Sequence, residues 1–350
     1  MGRQQENHRF IGTDREKGVI PGWRQILLKK LASEQSWQKI HVRVRQHCPY
    51  VRSKKPFTTV SQKHHGICRH VNDRRNETLP MRKDTENLNN RGEKMADFLD
   101  KVVVITGAAN GIGRETVREF AKEGAKIALV DLKNEELESA ARYANLKTGD
   151  FILVVADVSC EDQVKNYVDK TMQAFGKIDV CVHNAGIEGE LVALTDYPLD
   201  VFMRVLSVNL AGIYLGMKYA IPVMARNKTG AIINMSSIMG LRTVPRGCAY
   251  IASKFGVNGL TRVAAKEYGN AGIRINSVCP GFIETEMVCR IEKAFDPDHP
   301  ELAKAAFESL HALNRYGTSL EVVNMILFLA SDKASYMTGG NYVVDGGFTA

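Results

Sequence analysis

A chain of 350 residues, 44% hydrophobic and 25% charged, has room for one large domain or two modest ones and is too apolar to be disordered throughout. No run approaches 18 consecutive apolar residues, so a membrane-spanning helix is not expected. Seven cysteines without a CxxC pair make neither a disulfide framework nor a zinc module, which fits a reducing, cytoplasmic setting.

The net charge of +8 is unevenly placed. Residues 1–94 hold 21 basic and 9 acidic side chains, a net of +12, whereas residues 95–350 hold 26 and 30, a net of −4. A boundary near Arg91–Met95 follows. Residues 23–44, with Ile26, Leu27, Leu31 and Ile40 among Lys29, Lys30, Lys39 and Arg43, fit a basic amphipathic helix. The preferred reading of residues 1–94 is a disordered basic extension, or a stretch ahead of the natural start at Met95. Glu6, Asp14 and Glu16 argue against a transit peptide. His64, His65, Cys68 and His70 match no zinc spacing, so no metal is expected. A nucleic-acid role would have to reside in this segment, because the body has no basic stripe, and none is expected.

From Lys101 onward short Val- and Ile-rich runs alternate with helical stretches. Strands are predicted at 102–106, 126–130, 151–155, 178–182, 231–235, 274–279 and 341–344, at lengths that suit buried parallel strands. Helices are predicted at 112–123, 135–146, 161–175, 201–225 and 249–269, with Gly124, Gly149, Gly176 and Gly272 at their exits. Such alternation predicts an α/β fold with a doubly wound parallel sheet, a Rossmann fold, in a single domain over residues 95–350.

The first strand runs into Thr106-Gly107-Ala108-Ala109-Asn110-Gly111-Ile112-Gly113 and then a helix. Gly107 permits the tight turn, while Gly111 and Gly113 clear side chains where backbone must approach a pyrophosphate. The helix N-terminus adds free N–H groups for the phosphates. Asp131, ending the second strand, can accept hydrogen bonds from the adenosine ribose and would repel a 2′-phosphate. Asn110 and Leu132 are neutral, so NAD is favoured over NADP, with Arg114 and Lys133 as the opposing cations.

Tyr250 and Lys254 lie four apart at the start of a predicted helix and so share a face. Ser237 follows the strand ending at Met235. A tyrosine, an ammonium and a hydroxyl beside a cofactor crevice form a potential base, its activator and a polarising donor.

These residues carry a resemblance. Residues 98–347, nearly all of the body, resemble the short-chain dehydrogenase/reductase family. The glycine motif matches at Thr106 through Gly113, Asp157-Val158 resembles the pair that holds the adenine, and Asn184-Ala185-Gly186 resembles the segment supporting the central strand and cofactor. Asn209, Ser237, Tyr250 and Lys254 match the catalytic tetrad, and Pro280-Gly281-Phe282-Ile283-Glu284-Thr285 resembles the clamp on the nicotinamide carboxamide. His183 departs from the family, which has asparagine there, and is read as a packing variation.

The resemblance implies reversible hydride transfer between NAD(H) and a secondary alcohol or ketone. Tyr250 is the expected general acid/base, but an ordinary tyrosine is only about 0.1% ionised at neutral pH. Lys254 and the nicotinamide charge are expected to lower its pKa by about two to three units. Ser237 would fix the substrate oxygen, and Lys254 would also grip the nicotinamide ribose. The resemblance assigns Asn209 a relay water.

Met239, Leu241, Ile187, Leu191 and Met287 are candidate walls of an apolar pocket, under a lid at 286–315 with a helix at 302–310. No basic cluster suggests a phosphorylated or CoA-bearing substrate, so a small cyclic or aliphatic alcohol is expected. The finer likeness is to reductases of cyclic ketones and diols. Alternatives are an NADPH-dependent 3-oxoacyl (acyl-carrier-protein) reductase and a catalytically silent NAD-binding scaffold. A homotetramer formed through the helices at 201–225 and 249–269 is also implied.

Overall fold

The computed structural model describes residues 97–350. The expected helix at 23–44, the His64 cluster and the boundary near Arg91–Met95 lie outside the described residues.

Seven strands, β1 (Val102–Thr106), β2 (Lys126–Asp131), β3 (Phe151–Val155), β4 (Val180–His183), β5 (Gly230–Met235), β6 (Ile273–Pro280) and β7 (Asn341–Val344), form one sheet. Their order is β3-β2-β1-β4-β5-β6-β7, and every pairing is parallel. The order reverses between β1 and β4, and a crevice opens beyond the C-terminal strand ends at such a switch point.

The helices are α1 (Gly111–Lys122), α2 (Asn134–Tyr143), α3 (Glu161–Phe175), α4 (Leu199–Leu206), α5 (Gly212–Asn227), α6 (Cys248–Tyr268), α7 (Glu286–Phe295), α8 (Pro300–Glu308) and α9 (Ser319–Ala330). All five residues of β1 are buried, because helices cover both faces of the sheet. Val103 and Ile105 pack in one layer with Phe120 of α1, Leu137 of α2 and Val322 and Ile326 of α9. Val104 packs in the other with Tyr167 of α3, Met217 and Met224 of α5 and Val257 of α6. Each large side chain removed from water in this way contributes about 1.5–3 kcal/mol.

Several boundaries differ from the sequence reading for local reasons. β4 opens at Val180 and not at 178: Gly176 turns the chain at φ 75°, and Asp179 accepts the Val102 N–H at 2.8 Å. α2 stops at Tyr143 and not at 146, before Asn145 enters the left-handed region at φ 53°. The helix expected at 201–225 is two helices joined by a π turn over Ser207–Ala211. The lid helix starts at Pro300, whose missing N–H and fixed φ suit a first turn, and ends at Glu308.

α7 and α9 have no counterpart among the predicted helices. α9 is apolar nearly all round because it packs on α1, β5 and β6, so no amphipathic stripe marks it. Its start is fixed by a capping box, in which Thr318 accepts the Glu321 N–H and Glu321 accepts the Thr318 N–H. The 29-residue helical run Leu199–Asn227 holds an 18-residue stretch of mean hydropathy 1.4, long and apolar enough to cross a bilayer. Here, however, Ile213, Met217, Ala220, Ile221 and Met224 are packed into the core.

Candidate active site

The turn from β1 into α1 is dictated by crowding. Gly107 sits at φ 65°, and a Cβ on it would lie 2.8 Å from Asn184 Nδ2 and 2.9 Å from the Ala185 backbone. A Cβ on Gly113 would collide with the Gly107 carbonyl oxygen. Both positions therefore need glycine, and the backbone they free borders a cleft of about 380 Å³. Of the residues proposed from sequence to hold a cofactor, Gly107, Asn110, Gly111, Ile112, Asp131, Asp157, Val158, Asn184, Ala185, Gly186 and Thr285 line it. Gly113 stands one layer behind, against Gly107. Such a glycine-walled trough at a helix N-terminus fits a dinucleotide.

At one end of the cleft, Asp131 accepts the Ala109 N–H at 2.9 Å and the Leu132 N–H at 2.7 Å, which aims its carboxylate across the glycine turn. Asp157 is braced by the Ser159 N–H at 2.8 Å and the Ser159 hydroxyl at 2.7 Å. The two cations that the sequence set against NAD, Arg114 and Lys133, lie outside the cleft lining and have other contacts. Arg114 lies 4.1 Å from the centre of the Tyr143 ring, and Lys133 pairs with Glu136 at 2.8 Å.

Asn184 staples β4 to the glycine turn. Its Nδ2 donates to the Thr106 and Gly107 carbonyls at 3.2 and 3.0 Å, and the Asn184 and Ala185 N–H groups donate to the Thr106 hydroxyl. Asn209 is fully buried in the π turn, a distortion that recurs at functional sites. Its Oδ1 accepts the Ile187 N–H at 2.8 Å, while Nδ2 donates to the Ile187 carbonyl at 2.9 Å and to Ser253 Oγ at 3.2 Å. Both amide hydrogens are spent, so only one lone pair on Oδ1 is left for a water. Asn209 thus chiefly anchors the loop after β4, a role that sequence spacing did not suggest.

Beyond the loop, Ser237 Oγ accepts the Met239 N–H at 3.1 Å and caps a short 3₁₀ turn at Ile238–Gly240. That turn is tied to α6 by Ser236 donating to the Lys254 carbonyl and Asn258 donating to the Gly240 carbonyl. These ties bring Ser237 and Tyr250 to the lining of one pocket. Lys254 Nζ sits 5.4 Å from the Tyr250 ring centre and donates to the Met235 carbonyl at 2.8 Å.

Among the protein's own groups burial dominates at Tyr250: it pushes the pKa up to about 12, and the neighbouring Ser237 hydroxyl opposes this only in part. Burial likewise pushes Lys254 down to about 8. At neutral pH the tyrosine therefore holds its proton and the lysine its charge, a pair poised to donate.

A pocket of about 220 Å³ adjoins the cleft, with Ser237, Tyr250 and Lys254 on one wall and mostly apolar side chains elsewhere. Leu191, Met239 and Met287 line it, and so do Pro280, Gly281 and Ile283. Ile187 lines the cleft instead, and Leu241 lines neither. Sequence reasoning missed Val288 and Ile291 of α7, which form a wall, and Glu188, the only carboxylate in the pocket lining. Thr285 stands between the two spaces, its methyl group facing Gly111 across the cleft. A larger opening of about 530 Å³ at the far end of the sheet has different chemistry: its Arg274 is committed to the Leu329, Ala330 and Ser331 carbonyls that end α9.

His183 is buried in β4, where its Nδ1 meets Asn234 Oδ1 at 2.9 Å, and Asn234 Nδ2 donates to Thr261 at 3.0 Å. Burial lowers its pKa to about 4, so the ring is neutral, as a packing residue should be.

A doubly wound sheet with this glycine turn and tyrosine–lysine wall defines an oxidoreductase of alcohol and ketone groups that uses a nicotinamide cofactor. The chain belongs to the short-chain dehydrogenase/reductase family. A family model described as enoyl-(acyl carrier protein) reductase matches residues 107–349. The chain is 41% identical over 256 residues to levodione reductase of Leifsonia aquatica, covering 72% of this chain and 96% of that protein. It is 41% identical over 249 residues to 3-oxoacyl-(acyl-carrier-protein) reductase FabG of Thermotoga maritima, covering 71% and 97%. Cyclohexanol dehydrogenase of Acinetobacter sp. is 36% identical over 253 residues, covering 72% and 96%. The crystal structure of levodione reductase superposes with a TM-score of 0.70 at 40% identity, over 71% of this chain and 97% of that one.

Proposed function

We propose that the protein transfers a hydride reversibly between NAD(H) and a small, uncharged secondary alcohol or ketone, cyclic or aliphatic. The observation that carries this reading is the meeting of Ser237, Tyr250 and Lys254 on one wall of a small, mostly apolar pocket that opens on the dinucleotide cleft. The similarity to levodione reductase and cyclohexanol dehydrogenase supports a cyclic substrate.

Gly107 to Gly113, Asp131, Asp157-Val158, Asn184 to Gly186 and Pro280 to Thr285 are the residues that would hold the cofactor, which supplies the hydride donor or acceptor when bound. Ser237 orients the substrate oxygen toward Tyr250. In reduction the Tyr250 hydroxyl gives its proton to the developing alkoxide, and Lys254 stabilises the phenolate left behind. In oxidation the same proton returns to Tyr250. Asn209 holds the loop at Ile187, which borders the cofactor cleft.

NAD is preferred because Asp131 faces the glycine turn while Arg114 and Lys133 are engaged elsewhere. A cytoplasmic homotetramer is part of the reading: Met203 of α4, Tyr214 of α5 and Phe255 and Val263 of α6 expose large apolar surface on the helices expected to pair.

The 41% identity to the Thermotoga enzyme favours a second reading, NADPH-dependent reduction of 3-oxoacyl thioesters. Against it, Lys254 is the only cation lining the pocket. Turnover of the full-length protein with NADH or NADPH, on a cyclic ketone or an acetoacetyl thioester, separates the two. NADH oxidation by the cyclic ketone, abolished in Tyr250→Phe with NADH binding retained, is the expected result. Near-normal turnover in Tyr250→Phe would reject the mechanism.

A further inference from the structure

We propose that Glu136, on the first turn of α2, is a second determinant of cofactor choice that acts beside Asp131; this rests on the NAD reading above. Glu136 makes two contacts at the adenosine end of the cleft. Its Oε2 accepts from Asn110 Nδ2 at 3.1 Å, and its Oε1 pairs with Lys133 Nζ at 2.8 Å. Asn110 lies in the glycine turn and lines the cleft together with Asp131 and Leu132. The carboxylate of Glu136 is therefore held just behind the cleft lining, one side chain away from it through Asn110.

The arrangement works against a 2′-phosphate in two ways. A second negative charge stands behind Asn110 on the side of the cleft that Asp131 lines. The nearest lysine, which could otherwise neutralise that phosphate, is held by Glu136. The pairing raises the Lys133 pKa and lowers that of Glu136, so both stay charged across the physiological range. Arg114, the other cation of the region, is stacked on Tyr143. Tyr143 is in turn fixed by donating to Glu115 at 3.0 Å and accepting from Arg118 at 2.6 Å, which ties α2, and so Glu136, to α1. NADH carries neither the charge nor the bulk that this device opposes.

The test is direct binding of NADH and NADPH to the full-length protein, followed by nicotinamide fluorescence, for wild type, Glu136→Gln, Lys133→Met and the double variant. Gln keeps an oxygen to accept from Asn110 and removes only the charge. Glu136→Gln is expected to tighten NADPH about tenfold and to leave NADH within about twofold. The gain should shrink between 50 and 500 mM salt, since the charges are exposed. Most of it should disappear in the double variant, where no lysine is released. Wild type that prefers NADPH would overturn the NAD reading itself. Wild type that prefers NADH, with a Glu136→Gln ratio that is unchanged or moves both cofactors equally, would overturn the role of Glu136 alone.

Discussion

Arg290 of α7 reaches Glu188 in the loop after β4, donating from Nε to Oε1 at 2.5 Å and from Nη2 to Oε2 at 3.2 Å. The two residues are 102 positions apart, and their two-point contact joins the pocket's loop wall to its helical wall. Glu188 is the better shielded partner, with its side chain 19% exposed against 56% for Arg290. A partly exposed pair of this kind is worth about 0.2–1 kcal/mol. Arg290→Leu should therefore raise KM for the ketone about two- to fivefold while kcat changes less, because the pair shapes the pocket without touching the reacting bond. Steady-state kinetics at low and high salt check this. The wild-type KM should rise with salt and the variant's should not, and a variant indistinguishable from wild type at both salts would remove the pair from any part in closure.

The second prediction concerns pH. On the proposed mechanism, ketone reduction needs Tyr250 protonated and Lys254 charged. With Tyr250 held up to about 12 and Lys254 brought down to about 8, rising pH removes the lysine's charge long before the tyrosine's proton. The rate of reduction should fall through an apparent pKa near 8. Lys254→Arg keeps a positive charge at all accessible pH, so its lower rate should stay flat past pH 9. A wild-type profile that declines only near pH 10 would show that the lysine is not the group that titrates.

What was legible in the sequence divides along the range of the interaction. The glycine turn, Asp131 and the Tyr250–Lys254 spacing are local patterns set by backbone sterics or helical period, and the structure brings them to one cleft and pocket. The alternation of strands and helices was readable for the same reason, down to the bounds of β1, β3, α3 and β7. The Arg290 partner of Glu188 and the Asn110 contact of Glu136 were not readable, because each is fixed by which segments the sheet order places together. The π turn that buries Asn209 sits inside an apolar helical run whose periodicity continues through it. α9 lacked a stripe, but its start carried a usable mark in Thr318 and Glu321.

His183 offers a prediction about stability. Its ordinary pKa of about 6.5 is lowered by burial to about 4, so the unfolded chain takes up a proton before the folded one does. Stability from this site is whole above pH 6.5 and is lost as pH falls toward 4, to a total of about 3 kcal/mol. His183→Asn retains a partner for Asn234 and has nothing to titrate. Urea unfolding at pH 7.5 and 4.5 should show wild type losing about 2–3 kcal/mol more than the variant over that interval. Equal losses would mean that the ring is not held neutral. Gly216 belongs to the same arrangement, since a Cβ there would lie 2.5 Å from His183 Nε2. Gly216→Ala should accordingly be tolerated better in the His183→Asn background than in wild type.

The last prediction separates positioning from proton relay at Asn209. Its three hydrogen bonds end on Ile187 and Ser253, and Ser253 donates onward to the Tyr250 carbonyl at 2.6 Å. The side chain therefore links the loop bordering the cofactor cleft to the helix that carries Tyr250. Asn209→Ala frees both ends and leaves the half-buried Ile187 N–H and carbonyl without these partners, at a cost of about 1–3 kcal/mol for each group that finds no other. Loosening that link should lower kcat about 10- to 100-fold and raise KM for NADH, since small misplacements at a reacting centre are costly. If the residue acts by positioning, the pH–rate profile drops in height and keeps its apparent pKa near 8. If it acts chiefly as a relay, the proton path is cut, the apparent pKa moves and the solvent isotope effect grows. Kinetics in light and heavy water across pH 6–10 distinguish these outcomes, and the spent hydrogens of Nδ2 favour the first.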